Sequence, residues 1–131
     1  MTAWDWTRVV IDHIKLVVRD VDASKRFYGT VLAELGIPPL WESERGAQYA
    51  NLVVSAAPEV TAPLHIGFVA RSREEVDAFH RAGIEAGYED NGPPGVRERY
   101  SGPEAGLYYA AFLLDPDGNN IEAVHRSEYT G

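Results

Sequence analysis

Cysteine is absent from all 131 residues. Disulfides, thiolate nucleophiles and Cys-ligated zinc or iron–sulfur sites are thereby excluded, so any protein-bound metal must rely on imidazole and carboxylate ligands. Long hydrophobic runs are missing too: nothing approaches the ~18 apolar residues that cross a bilayer. The N-terminal Met-Thr-Ala-Trp-Asp-Trp-Thr-Arg has no basic stretch followed by an apolar one. The expectation is a cytoplasmic protein without a membrane partner. Positive charge is scarce, with 12 Lys and Arg against 20 Asp and Glu and a formal net charge of −8. Nucleic-acid binding needs clustered Lys and Arg, so that class is disfavoured, as are anionic membrane surfaces.

What is present suits one compact domain. The length allows roughly two-thirds of the unfolded surface to be buried, and 45% hydrophobic with 24% charged residues is an ordinary globular balance. Apolar periodicity places a strand at about 9–18 and a helix from an N-cap at Asp22 to about Leu35, stopped by Gly36 and Pro38-Pro39. Strand-like pieces follow at about 39–43 and 47–55. The proline-bounded stretch 56–63 reads as an extended connector. A strand at 64–70 then leads to Ser72, an N-cap with Glu75 three residues later, and to a helix ending near Gly87. Strands are expected at about 96–100, 107–114 and 119–125, the last two joined by a tight reversal at Asp115-Pro116-Asp117-Gly118-Asn119.

The order strand, helix, strand, strand thus occurs twice, in modules at about 8–60 and 63–126 within one domain spanning 1–131. Such repetition implies pseudo-symmetric packing. His13 and His65 occupy equivalent places in the first strand of each module. Period-two alternation puts His13 opposite Ile14, Leu16 and Val18, His65 opposite Leu64, Ile66 and Phe68, and Glu122 opposite Ile121 and Ala123. If the modules curl their sheets toward each other, these two imidazoles and one carboxylate would share a divalent-metal site. His80 beside Arg81 reads instead as a solvated helix residue, and His125 as an edge residue on the other face of its strand. Trp4, Trp6 and Trp41 read as packing or interface residues, with an aromatic substrate wall as the alternative.

Three stretches carry a resemblance: Ile11-Asp12-His13-Ile14-Lys15-Leu16-Val17-Val18 with Ser24-Lys25-Arg26-Phe27-Tyr28, then Leu64-His65-Ile66-Gly67-Phe68-Val69, and the closing Tyr108 to Glu122 stretch with its Phe-x-x-Asp-Pro-Asp-Gly-Asn-x-Ile-Glu pattern. In this order they resemble the vicinal oxygen chelate superfamily, which includes glyoxalases, bleomycin resistance proteins, fosfomycin-modifying enzymes and extradiol dioxygenases. The resemblance implies an α+β fold of two tandem βαβββ modules, forming a curved mixed sheet around a metal-binding cavity. It also implies that His13, His65 and Glu122 are the metal ligands, and that the chain pairs as a homodimer. The sequence departs from the glyoxalase I pattern on the strand Ala50-Asn51-Leu52-Val53-Val54-Ser55, where no acid supplies a fourth ligand, and Glu59 lies in the connector.

A three-ligand set points to Fe(II) or Mn(II), with Ni(II) or Zn(II) as further options, and leaves positions for a small substrate held through adjacent oxygens. An extradiol-dioxygenase-like activity is the leading expectation. Glyoxalase-like lyase or isomerase chemistry, fosfomycin-type thiol transfer and a non-catalytic drug-binding module are the alternatives. Tyr109 is the first choice for a catalytic hydrogen-bonding group and Tyr108 its rival. Lys15, Tyr49, Arg97 and Tyr100 are further candidates around the cavity, and Asp12 and Asn120 flank the ligands.

Overall fold

The computed structural model describes residues 5, 6, 8, 11 and 13–131. Two βαβββ modules follow one another. The first comprises β1 (Ile14–Val18), α1 (Val21–Ala33), β2 (Pro39–Ser43), β3 (Gly46–Tyr49) and β4 (Leu52–Ala56). The second comprises β5 (His65–Val69), α2 (Arg73–Glu85), β6 (Glu89–Val96), β7 (Leu107–Leu114) and β8 (Asn120–Ser127). Each module makes a four-stranded mixed sheet, ordered β1-β4-β3-β2 and β5-β8-β7-β6, with the first and last strands of the module parallel. This is the α+β tandem arrangement expected from the repeated pattern.

Helix α1 packs on β3 and β4, α2 packs on β6, β7 and β8, and the two helices pack on each other. The helices therefore fill the space between the sheets. Leu16, Val18, Phe27, Val31 and Leu32 of the first module and Phe68, Val76, Phe79, Leu113 and Ile121 of the second belong to one continuous core. Burying side chains of this size contributes about 1.5–3 kcal/mol each, so the back of each sheet is fixed against its helix. Gly83 permits the closest of these approaches, since a Cβ there would lie 2.4 Å from Leu113 Cδ1. The turn Asp115–Asn119 locks the modules together. Tyr28 of α1 donates to Asp115 Oδ2 at 2.7 Å, and Asp115 Oδ1 accepts from the Asp117 and Asn119 amides at 2.9 Å each.

Several boundaries differ from the sequence reading. Asp20, not Asp22, caps α1 by accepting from the Ala23 amide at 3.0 Å. Ser72 caps α2 as expected, while the Glu75 carboxylate reaches back to the Arg71 amide at 2.7 Å. The stretch 47–55 is a hairpin rather than one strand, turning at Ala50 with φ 51. The largest difference is β6: residues 89–96 form a strand and Glu98–Tyr100 a single 3-10 turn, where a loop and a strand at 96–100 were expected. Pro93 and Pro94 hid this strand. It lies at the sheet edge with register shifts around Gly92, and an edge with bulges tolerates missing amide donors. Of the expected strand at 9–18, only Ile14–Val18 is strand among the described residues, and Trp4 and Asp12 lie outside them. Among the described residues, no helix is long and apolar enough to cross a membrane.

Candidate active site

The face of the second sheet turned away from the helices carries the chemistry. Parallel pairing sets Gly67 beside Glu122, and antiparallel pairing sets Phe112 across from Glu122 and Tyr108 across from Arg126. Glu122 is 3% exposed, a burial that a carboxylate sustains only when its oxygens find partners. One oxygen, Oε1, contacts His65 Nε2, and the other, Oε2, accepts from the Tyr108 hydroxyl at 2.7 Å. Tyr108 spans the Ala110–Val124 pair to get there, and the small side chain of Ala110 leaves it room. Gly67 supplies the remaining space: a Cβ at that position would lie 3.2–3.3 Å from the Glu122 Cγ, Cδ and Oε1 atoms. Burial first, and then the hydrogen bond and charge of Glu122, hold the Tyr108 phenol well above its ordinary pKa. Tyr108 is therefore a neutral donor at physiological pH.

Two depressions flank this centre. One, of about 550 Å3, is lined by Trp6, Gly67, Val69, Tyr108, Glu122 and Arg126. The other, of about 750 Å3, is lined by His65, Arg97, Arg99, Tyr100, Phe112 and Asn120. Both fall within the roughly 300–1,000 Å3 typical of small-molecule sites. Aromatic rings form their walls: the Tyr100 and Tyr108 centroids are 5.3 Å apart, and those of His65 and Phe112 are 6.1 Å apart.

The residues expected at the site divide as follows. His65, Glu122 and Tyr108 come together. Tyr109 does not: strand alternation turns it to the helix side, where its hydroxyl donates to Asp77 Oδ1 at 2.6 Å and Arg73 lies 4.7 Å over its ring. The order of preference between the two tyrosines is thus reversed. His13 is exposed and lies just ahead of β1, the first strand of the other sheet, rather than within it. Among the described residues no group of three or more His, Asp and Glu gathers to hold a metal, because the helix layer separates the two sheet fronts.

Tyr49 also lies away from the site. Its hydroxyl donates to the Lys25 carbonyl at 3.2 Å inside the first module, and burial, with a smaller contribution from Glu42, pushes it up to about 12. His80 is partnered rather than solvated, with Nε2 2.9 Å from Asp90 Oδ1. Arg97 precedes and Arg99 lies within the 3-10 turn rather than on a strand, with Arg97 lying 5.3 Å over Phe112. The sequence reading overlooked Gly67, Phe112 and Arg126. Counting by twos from Glu122 and from Tyr108 finds Arg126 and Phe112, but the cross-strand register that makes them neighbours appears only in the fold.

A tandem βαβββ architecture with an imidazole–carboxylate pair on one sheet front defines a two-module chelate-type domain. The chain belongs to the Glyoxalase/Bleomycin resistance protein/Dioxygenase superfamily, whose family model matches residues 10–123. Members commonly bind divalent metals. A glyoxalase/bleomycin resistance protein from Albidiferax ferrireducens T118 is 35% identical, with TM-score 0.70 over 88% of this chain and 98% of that one. A putative glyoxalase from Bacillus halodurans is 25% identical, with TM-score 0.67 over 92% and 98%. The uncharacterized protein YqjT of Bacillus subtilis (strain 168) is 29% identical over 126 residues, 86% of this chain and 95% of its own.

Proposed function

We propose that this chain is a metal-dependent enzyme holding a small substrate through adjacent oxygens, with ring-cleaving dioxygenase chemistry as the leading form. The pairing of His65 with a buried Glu122, which Tyr108 tethers from the other side, carries this reading. The donor set suits the group: an imidazole nitrogen and a carboxylate oxygen share one sheet front, and no side chain at Gly67 crowds them. His65 and Glu122 would hold the cation, which when bound would supply Lewis acidity toward a chelated oxygen.

The protein's own groups set the conditions for that chemistry. Tyr108 keeps its proton and fixes one carboxylate oxygen, so Glu122 offers the other in a defined direction. Phe112 and Tyr100 exclude water from the flank and offer flat faces to a planar substrate. Glu122 has no acidic counterpart on β4, where Val53 stands, and a three-ligand set leaves more room for substrate and a second reactant.

His13 is the proposed third ligand, contributed by a second copy of the chain. Both sheet fronts face outward, and each keeps an exposed apolar side chain: Trp41 at 43% on the first sheet and Val69 at 66% on the second. A two-fold dimer that laid the first front of one copy on the second front of the other would cover both patches and bring His13 to the His65–Glu122 pair.

Metal content of untagged protein, measured by element, tests the reading. Wild type should carry about one ion per chain and Glu122→Ala below about a tenth of that. Equal content in the two would overturn it. Anaerobic reconstitution with Fe(II), followed by oxygen uptake on a panel of catechols, tests the oxidative form. Metal-loaded protein that consumes no oxygen would move the activity to the lyase or isomerase class.

A further inference from the structure

Among the described residues, Arg126 is the one cation lining the 550 Å3 depression that no acidic side chain or short backbone contact takes up fully. Among the described residues, Arg71 there is taken by Glu75, with Nη2 at 2.6 Å and Nε at 2.9 Å from Oε2. Glu122 is taken by His65 and Tyr108, and His125 Nδ1 lies 3.1 Å from the Ala70 carbonyl. Among the described residues, Arg126 makes one hydrogen bond, from Nη1 to the Ala105 carbonyl at 2.8 Å, and no carboxylate forms an ion pair with it.

The guanidinium is also held in place. Its carbon lies 3.7 Å over the Trp6 ring and 4.8 Å over the Tyr108 ring, and the Trp6 indole is itself anchored by donating to the Glu104 carbonyl at 3.2 Å. The guanidinium has N–H donors beyond the one given to Ala105, and its planar fork matches a carboxylate or similar oxyanion. Glu122 stands four residues earlier on the same strand face, so the two backbone positions are about 13 Å apart. Each reaches into the same depression from one end.

We infer that the site takes a planar, anionic substrate whose carboxylate, or an equivalent oxyanion, is gripped by the Arg126 fork while its adjacent oxygens lie at Glu122 and His65. This rests on the proposed function for the position of the reacting oxygens, but the anion-binding edge stands on its own contacts. Trp6 and Tyr108 serve the same purpose, since their rings hold the guanidinium in place.

Three probes separate the two ends: 3,4-dihydroxybenzoate, with both groups; catechol, with oxygens only; and benzoate, with the carboxylate only. Their binding to the full chain supplied with Mn(II) is measured by titration calorimetry under anaerobic conditions. Arg126→Gln should weaken 3,4-dihydroxybenzoate and benzoate about tenfold or more, the scale of a charge-assisted bidentate contact, and leave catechol within about twofold. Arg126→Lys keeps the charge without the fork and should fall between, which preserves the test should the glutamine variant not fold. Glu122→Gln should weaken catechol and 3,4-dihydroxybenzoate and leave benzoate unchanged.

Benzoate and 3,4-dihydroxybenzoate binding to Arg126→Gln as they bind wild type would overturn the inference. So would a wild-type protein that gains nothing from the carboxylate. Selective loss in Arg126→Gln with no effect of Glu122→Gln on any probe would keep the anion site and remove the metal-site reading instead.

Discussion

The two modules share a fold and differ in chemistry. Two residues after His65 comes Gly67, paired with Glu122; two residues after His13 comes Lys15, paired with Val53. In the second sheet, a missing side chain makes room for a buried carboxylate that is answered by Tyr108 and His65. In the first, a long cation faces a half-buried valine, and its histidine sits ahead of the strand. The backs of the two sheets are thus alike, where Leu16 and Val18 match Phe68 and Ala70 as core residues, while their fronts differ. The second module carries the pair of His65 with the buried Glu122; in the proposed dimer the first would contribute one ligand and a wall.

The sharpest way to break this comparison is to separate the two contributions between chains. His13→Ala and Glu122→Ala should each lose nearly all bound metal. If the site is shared between copies, a refolded mixture of the two variants recovers it, because a heterodimer contains one site with both wild-type residues. Statistical pairing predicts about a quarter of the wild-type metal content. Zero recovery, with dimers present by light scattering, would mean that each copy supplies all its own ligands.

The next effect is on the joint between modules. Tyr28→Phe removes the donor to Asp115 Oδ2, which then keeps only the Asn119 side-chain amide at 2.8 Å. Losing a buried bond to a charged group should cost about 2 kcal/mol and lower Tm by about 7 °C for a chain of this length. Thermal unfolding followed by circular dichroism measures it. Metal content should stay near that of wild type, since Tyr28 lies on the helix side of both sheets. An unchanged Tm would show that this bond does not secure the turn.

The sequence carried much of this, unevenly. Both helices, the tandem order and the front positions of His65 and Glu122 follow from period and caps, because alternation on a strand with a buried back leaves one choice of face. The choice between Tyr108 and Tyr109 did not follow. Adjacent tyrosines satisfy either register equally well, and only the pairing of Ala111 and Leu113 with the core puts Tyr109 on the helix side. β6 was hidden by Gly92-Pro93-Pro94-Gly95, since an edge strand interrupted by bulges has neither alternation nor propensity to announce it. The separation of the two fronts was equally invisible, because a repeat specifies each module but not whether the partner of a front lies in the same chain.

The smallest expected effect tests why the first module has no carboxylate. Val53→Glu places an acid directly across from Lys15, at the position matching Glu122. The new cross-strand ion pair should contribute about 0.2–1 kcal/mol, close to what is lost with the half-buried valine, so stability should move by less than about 1 kcal/mol. The same pairing answers the acid with Lys15 rather than leaving it for a cation, as Gly67 leaves Glu122. A Val53→Glu, Glu122→Ala double variant should therefore still lack metal by elemental measurement. Recovery of metal in that variant would mean that the carboxylate is interchangeable between modules, and that the space at Gly67 and the tether from Tyr108 do not set its role.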